Sequence, residues 1–565
     1  LATIRTGIIA SVMSTAILLS SVATAAPNAF AADKSTTTSN GKAKNVIFML
    51  SDGNSIGGTT LTRWYDIIKK NDPNYRLALD DPSFDLALQR TYCTNSIITD
   101  SAPAGTAYSA GYKSADKFIS VMPDEVKMPG LPPVNEADKY KPLATVLEGA
   151  KLKGKATGIV STSNVQHASP AAISAHWYAR SNYEEIAEQQ VYQDIDVVFG
   201  AGSRYLSNRK DGENLLDVLT SRGYVYADTP ASMAAASGNK IWGMFADTAM
   251  TRDIDRDPAK QPSLAEMTKQ AIDTLKKDKD GFFLFIEGSE VDWSAHSNDP
   301  VGLISDINAF DQAVKTALDF AKQDGNTLLI VTTDHGNGGI TIGSKETDDT
   351  YSKLPIDKVV QPLLKAIKSA DFIAQQLPKD ASDEQIKAQL QTYWGITDVT
   401  PEELAEAKRW LAKEGVRDYG LGRIISSRAN LGWTTHGHTG EDVLVYSYGP
   451  NKLSGLIENT DTAKAMAQAM GINLQELNKT LYVNAEAAFK QLGATYRIDN
   501  TDAANPVVLV EKGTVKAELP LSKDIIKING KETHLTGIVI RGKEDRPVFV
   551  PQEAIDLFKK VVAGK

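Results

Sequence analysis

Thr327–Gly336 reads TLLIVTTDHG. An uncharged, aliphatic run stops abruptly at Asp334, His335 and Gly336. A continuous apolar run bounded by a turn indicates a strand buried on both faces, with its polar end emerging at the rim of a sheet. The pattern recurs along the chain. Asn45–Leu50 (NVIFML) runs into Ser51, Asp52 and Gly53, and Phe282–Ile286 (FFLFI) runs into Glu287 and Gly288. Thr157–Val160, Val197–Phe199 and Val443–Tyr448 likewise end in Ser, Gly or Pro. Amphipathic segments lie between these runs: Leu143–Lys153, Leu215–Ser221, Ser263–Lys277 and Val301–Gln323. Strand alternating with helix predicts an α/β fold, a mostly parallel central sheet sandwiched by helices. Ligands of such sheets bind beyond the carboxyl ends of the strands. Asp52, Glu287 and Asp334 all fall there.

The rest of the chain sets bounds on this body. With 565 residues, 42% hydrophobic and 23% charged, the composition is ordinary for a globular protein. A net charge of −9 implies no basic face, so nucleic acid is not an expected partner. An anionic substrate must instead be drawn by local cations. Arg5 precedes the small, apolar run Thr6–Ala26, with A-x-A sites at Ala23–Ala25 and Ala29–Ala31. This predicts a secretory signal peptide over 1–32, cut near Ala31 or Ala32, then a polar tether over 33–44 and a secreted or periplasmic product. No later run is long enough to span a bilayer. Cys93 is the single cysteine, which excludes an internal disulfide and reads as a buried structural thiol.

Residues 45–341 and 434–470 carry the α/β pattern. Between them, 342–433 reads as a charged helical insertion (Lys358–Gln376, Asp383–Trp394, Pro401–Glu414), a lid or an interface. Residues 471–565 read as a small β-rich C-terminal module. Within it, Leu474–Leu492 is helical, Tyr496–Val550 alternates with turns at Lys512–Gly513 and Asn529–Gly530, and Gln552–Val562 is a closing helix. Its role is either a structural cap or attachment to a wall or polymer.

Ile97–Gly111 (IITDSAPAGTAYSAG) carries the chemistry. Small residues behind Ser101 let a helix begin close to a ligand, with unpaired N–H groups and a partial positive charge suited to phosphate. The bland alternative is an ordinary Ser-capped helix. Seven histidines occur, at 167, 176, 296, 335, 436, 438 and 534. Asp292 and His296 stand four apart in DWSAH, one face of a helical turn and a metal-ligand spacing, although a surface Asp–His pair has the same form. Asp334 and His335 follow a buried strand. His436 and His438 precede another, and either imidazole suits a ligand. An Asp/His/Glu/Ser set without cysteine favours Zn²⁺ where histidines gather and Mg²⁺ where all donors are oxygens. Metal coordination would also turn a serine hydroxyl into a nucleophile at neutral pH.

Taken in order, Asp52–Gly53, Thr99–Thr106 (TDSAPAGT), His167–Pro170 (HASP), Glu287–Gly288 with Asp292 and His296, Asp334–Gly336 and His438–Gly440 closely resemble the motifs of alkaline phosphatases. The resemblance runs from about Lys44 to Pro450, apart from the insertion. It implies a phosphate monoester hydrolase in which Ser101 is the nucleophile and becomes phosphoserine. One Zn²⁺ would be held by Asp292, His296 and His438, a second by Asp334, His335 and Asp52, and an Mg²⁺ by Asp52, Ser169 and Glu287. Arg180, expected in a helical stretch, takes the place of the phosphate-binding arginine, oriented by Asp100. Dimers are common in the family, so the resemblance admits a homodimer, with the insertion as one interface, and leaves the oligomeric state open. Two positions depart from one common bacterial pattern. His167 stands where Asp is often found, and is expected either to bond to the third ion's waters or to recruit Zn²⁺ in place of Mg²⁺. Trp293 stands in a substrate-binding position where Lys is often found and brings no charge, so looser phosphate retention is expected. The rival readings are a phosphodiesterase or sulfatase-like hydrolase of the same superfamily, and a non-catalytic exported metal- or surface-binding protein.

Overall fold

The computed structural model describes residues 41–564. The predicted signal peptide, and all of the tether up to residue 40, lie outside the described residues. A ten-stranded sheet runs in the order Gly455–Glu458, Asp85–Arg90, Val443–Tyr448, Thr327–Thr332, Asn45–Ser51, Phe282–Gly288, Ala156–Asn164, Val197–Ala201, Ile241–Met244 and Val225–Ala227. Every neighbouring pair is parallel except those made by Val443–Tyr448, which is antiparallel to both its partners. The mostly parallel sheet expected from the sequence is therefore present.

Its three central strands, Thr327–Thr332, Asn45–Ser51 and Phe282–Gly288, are buried along their whole length. Their side chains alternate between two cores. Val46, Phe48, Phe283, Phe285, Leu328 and Ile330 face one layer with Tyr108, Leu147 and Met466. Ile47, Met49, Leu284, Ile286, Leu329 and Val331 face the other, with Met267, Phe310 and Val314. Each such side chain contributes roughly 1.5–3 kcal/mol of burial. The ends of these strands are thus held by packing on both faces.

Residues 342–433 form mainly helices, Ile356–Leu364, Ala370–Gln376, Asp383–Trp394, Pro401–Leu411 and Tyr419–Arg428. These share a core with Leu61, Tyr65, Val291 and Val301. The C-terminal region carries a five-stranded antiparallel sheet, Thr495–Asp499 through Lys531–His534, with its own core and the helix Gln552–Val562. The Asn529–Gly530 hairpin turn has positive φ at both residues, as a tight two-residue turn requires.

Three expectations change. Leu474–Leu492 is two helices, Leu474–Leu481 and Ala485–Gln491. Val483 and Asn484 between them pair with Phe549 and Val550, and Asn484 then caps the second helix at Ala487. The single helix is broken by a tertiary strand pairing that its local pattern does not encode. Arg180 lies in a turn, not a helix: Trp177 bridges Ile119 in extended form, Arg180 N donates to Lys117 O, and the helix begins only at Tyr183. Strands Asp85–Arg90, Val225–Ala227, Ile241–Met244 and Gly455–Glu458 add to the predicted set. They lie toward the sheet's edges; Asp85–Arg90, Val225–Ala227 and Gly455–Glu458 are partly exposed there, while Ile241–Met244 is buried but only four residues long.

Candidate active site

Asp52 follows one central strand, Asp334 follows its neighbour, and Glu287 lies near the end of the third; Leu50 and Ser161 flank Glu287 in register. Gly53 N donates to Asp334 Oδ1 at 3.1 Å. Gly53 is required twice over: its φ is +64°, and a Cβ there would sit 2.3 Å from Asp292 Oδ1. Asp292 and His296 share the helix Glu290–His296, with His296 Nε2 3.3 Å from Asp292 Oδ2.

Three sets of donors gather, each with its ligand atoms within 4.8 Å of one another: Asp292, His296 and His438; Asp52, Asp334 and His335; Asp52, His167 and Glu287. Residues spread over nearly four hundred positions thus meet at one rim. His438, and not His436, belongs to the first set. A fourth acidic group, Glu188, Asp211 and Glu213, is already met by Arg209 and Lys523.

The residues of the first three sets fit cations. Both oxygens of Asp52 and Glu287 Oε1 are buried with no hydrogen-bond partner among the described residues. An isolated buried carboxylate costs several kcal/mol unless a charge answers it. Burial, and then the charges of Asp334, Asp292 and Glu287, push the Asp52 carboxyl well above its ordinary range. The imidazoles are arranged for the same purpose. His296 Nδ1 bonds His436 O at 2.6 Å, His438 Nδ1 bonds Thr99 O at 3.0 Å, and His335 Nδ1 bonds Gly336 O at 3.2 Å. A carbonyl can only accept, so each Nδ1 carries the proton and each Nε2 is left with a lone pair. Those lone pairs face carboxylates: Asp292 Oδ1 lies 3.7 Å from His438 Nε2, and Asp334 Oδ2 lies 2.9 Å from His335 Nε2. Lone pair facing anion is stable only with a cation between them. Without a metal the proton serves: against the cost of burial, Asp292 draws His296 up to about 9.

Ser101 begins the helix Ser101–Ala110, with Asp100 as its N-cap, and is 2% exposed. Its Oγ lies 3.2 Å from His335 Nε2. The small residues behind it serve packing as well as approach, because a Cβ on Gly105 would sit 2.6 Å from Ala172 Cβ in the next helix. Ser169 is buried in the first turn of that helix, Ala168–Ser174. Arg180 Nη1 donates to Asp100 Oδ1 at 2.5 Å, and Nη2 donates to His167 Nε2 at 2.9 Å. Burial, and then Arg180, hold His167 down at about 3, so its ring is neutral. Because Nε2 accepts from Arg180, the His167 proton is on Nδ1. Trp293 packs edge-on against the His167 ring at 5.7 Å.

Supporting residues were missed. Asn337 Nδ2 donates to Asp292 Oδ1 at 2.7 Å, and Ser161 Oγ donates to Glu287 Oε2 at 2.6 Å. Their signal was adjacency: Asn337 follows Asp334–Gly336, and Ser161 follows the apolar run Thr157–Val160. His176 and His534 lie elsewhere, bonded to Glu148 and Asp524. Cys93 is buried and bonded to Asn95 and Ser96, as expected of a structural thiol.

Residues 43–472 match the family model of alkaline phosphatase. The chain is 37% identical over 448 residues to alkaline phosphatase 3 of Bacillus subtilis, covering 76% of this chain and 90% of that protein. It is 32% identical to the alkaline phosphatase of Schizosaccharomyces pombe, covering 78% and 84%. Among solved structures it is similar to Thermus thermophilus alkaline phosphatase (TM-score 0.68, 26% identity, 77% and 92% covered) and to the cold-active enzyme of Shewanella sp. (0.64, 28%, 75% and 99%). Sheet order, the rim of carboxylates and imidazoles, and these likenesses agree: the chain belongs to the alkaline phosphatase family.

Proposed function

We propose that the protein hydrolyses phosphate monoesters by double displacement through Ser101. The observation that carries the reading is Ser101 Oγ, at a helix start, 3.2 Å from an imidazole that also belongs to a donor set of two carboxylates. Zn²⁺ at Asp292/His296/His438 and at Asp52/Asp334/His335, with Mg²⁺ at Asp52/Ser169/Glu287, would supply Lewis-acid charge for the phosphoryl oxygens and acidify nearby hydroxyls. An alkaline phosphatase variant from the Antarctic bacterium TAB5, similar to this chain at TM-score 0.52, is described with Mg bound in its M3 site.

Ser101 Oγ bonds phosphorus as the P–O ester bond breaks. The ester oxygen departs with that bonding pair, and the proton given up by Ser101 is balanced by one taken up on the departing oxygen, which leaves as the alcohol. Water then attacks the phosphoserine, releasing inorganic phosphate and restoring the hydroxyl. Arg180, its fork braced by Asp100, binds two phosphoryl oxygens. The unpaired N–H groups of the helix start face the same charge. His167, neutral with its proton on Nδ1, is set to donate to a water of the Mg²⁺ set rather than to ligate. The signal-peptide reading makes the enzyme an exported one, and among the described residues no helix is long and apolar enough to cross a membrane.

The test is metal content together with monoester hydrolysis, before and after chelation, in the parent and in Ser101→Ala. Hydrolysis that returns with Zn²⁺ and Mg²⁺, acid-trapped phosphoserine in the parent, and neither in Ser101→Ala are expected. Full turnover by Ser101→Ala would sink the mechanism.

A further inference from the structure

Beside the donor set of Asp292, His296 and His438 lies a cavity of about 630 Å³. Trp293 and His296 form one wall, on the helix Glu290–His296. Tyr419 and Asp371 face it from the helices Tyr419–Arg428 and Ala370–Gln376, both inside residues 342–433. His436 closes the rim. Its ring lies 5.1 Å from Tyr419, and its carbonyl anchors His296 at 2.6 Å. Tyr419 is in turn held edge-on by Trp410 at 4.5 Å. The cavity therefore ends at the metal-binding rim and is walled by three flat rings, one of them braced from behind.

Its charged side chains are anchored, and acidic groups are in the majority. Arg252 Nη1 donates to Glu290 at 2.7 Å, Asp418 accepts from Ser297 Oγ, and Asp371 accepts from Gln375 Nε2 at 2.8 Å. Arg417 Nη2 and Nε donate to the carbonyls of Leu377 and Leu411. Arg252 is thus neutralised by Glu290, and Arg417 is held on backbone carbonyls. With Glu290, Asp371 and Asp418 set against two guanidiniums, the walls are net acidic and do not favour a second anionic group. Size argues in the same direction: the volume lies in the ordinary range for ligand pockets, about 300–1,000 Å³, and is ample for more than a short alkyl chain.

We propose that this cavity is a leaving-group subsite, built by the insertion, for uncharged alcohols bearing a flat ring, of which a nucleoside is the type. The proposal rests on the phosphomonoesterase reading. With phosphorus at Ser101 and the ester oxygen toward Asp292, His296 and His438, the remainder of the alcohol projects into this space. Its ring stacks on Tyr419 with the tilted His436 ring against its edge, and Trp293 takes up the apolar contact that a lysine could not.

The test compares kcat/KM of the metal-loaded enzyme on adenosine 5′-monophosphate, glycerol 3-phosphate and phosphocholine, all esters of alkyl alcohols. Parent enzyme is expected to favour the nucleotide by about tenfold, the scale of one base–aromatic stack. Tyr419→Leu and His436→Ala should each erode that ratio several-fold through KM, and Tyr419→Phe should retain it. His436 has an exposed side chain, so its variant guards against misfolding of the other. A parent ratio near one, an equal loss on all three substrates in both variants, or a preference for phosphocholine would overturn the subsite. Failure of the parent to hydrolyse any of the three would instead remove the reading beneath it.

Discussion

Arg180 is the residue on which the phosphate-binding reading can be tested most directly. It is a half-buried guanidinium at the rim, with Nη1 committed to Asp100 and Nη2 to His167. Burial opposes its charge, but Asp100 holds its pKa above the ordinary value, and Arg180 in return keeps Asp100 below the usual carboxylate range. The fork therefore arrives charged and pre-aimed. Hydrogen bonds to charged groups are worth about 1.5–3 kcal/mol each, so two bonds to phosphoryl oxygens place the loss in Arg180→Ala at roughly 3–5 kcal/mol after allowing for non-additivity. At 1.4 kcal/mol per decade this is roughly 10² to 4 × 10³ in kcat/KM. Arg180→Lys keeps a point charge but cannot brace against Asp100 and grip two oxygens together, so a loss of about tenfold is expected. The assay is kcat/KM on a monoester alongside the inhibition constant of inorganic phosphate, at matched metal content. The inhibition constant should weaken in the same order, Ala beyond Lys. Both variants within threefold of the parent in both measurements would refute the assignment.

Other outcomes follow from neighbouring geometry. Asn337→Ala removes the donor to Asp292 Oδ1 and should weaken metal affinity by about 10–100-fold, read as the chelator concentration that halves bound metal. Gly53→Ala forces a positive φ on alanine and a Cβ against Asp292, so both metal content and melting temperature should fall; an unchanged metal content would count against the rim as drawn. Glu148 is buried against Tyr482 at 2.6 Å, Gln193 at 2.7 Å and His176 at 3.1 Å; burial opposes its charge, but His176, then Tyr482 and the Thr145 backbone N–H, hold its carboxyl at about 2 against an ordinary 4.5. Its folded pKa lies below the unfolded one, so its contribution, on the order of 3 kcal/mol, is present above about pH 4.5 and lost as pH falls toward about 2. Glu148→Gln should be less stable at neutral pH and show a flatter decline over that window in denaturant titrations. Parallel curves would show that Glu148 is not the group titrating.

The sheet was legible because its central strands are buried on both faces. Asn45–Ser51, Phe282–Gly288 and Thr327–Thr332 cannot tolerate a polar residue until they leave the core, so the first acidic residue marks the rim. Of the outer strands, Asp85–Arg90, Val225–Ala227 and Gly455–Glu458 are partly exposed, Ile241–Met244 is buried but short, and Asp85–Arg90 in particular reads as an unremarkable mixed segment. Arg180 was placed on the wrong kind of backbone for a related reason: the extended bridge from Trp177 to Ile119 is a contact across 58 positions that no local pattern encodes. The site ligands were legible by residue type and spacing. What was not legible was which nitrogen each histidine presents, since that is set by carbonyls at Thr99, Gly336 and His436. Those are backbone groups, and they leave no trace in side-chain chemistry.

Those carbonyls also explain why the rim must be rigid. Asp334, Asp292 and Glu287 all raise the cost of charge on Asp52, with Asp334 and Glu287 each sharing a donor set with it, while Arg180 is committed to Asp100 and His167. Mutual repulsion at short range in a buried site would drive flexible loops apart. Here it acts on the ends of adjacent strands whose neighbouring residues fill two dense cores, and on a helix whose aspartate is pinned by Asn337. Spreading the carboxylates would mean opening those cores, at a cost of the same order as the repulsion relieved. The apolar strands and the acidic rim are therefore one device: packing on both faces holds the anions close enough to bind cations, and bound cations would return the electrostatic cost that the packing otherwise bears alone.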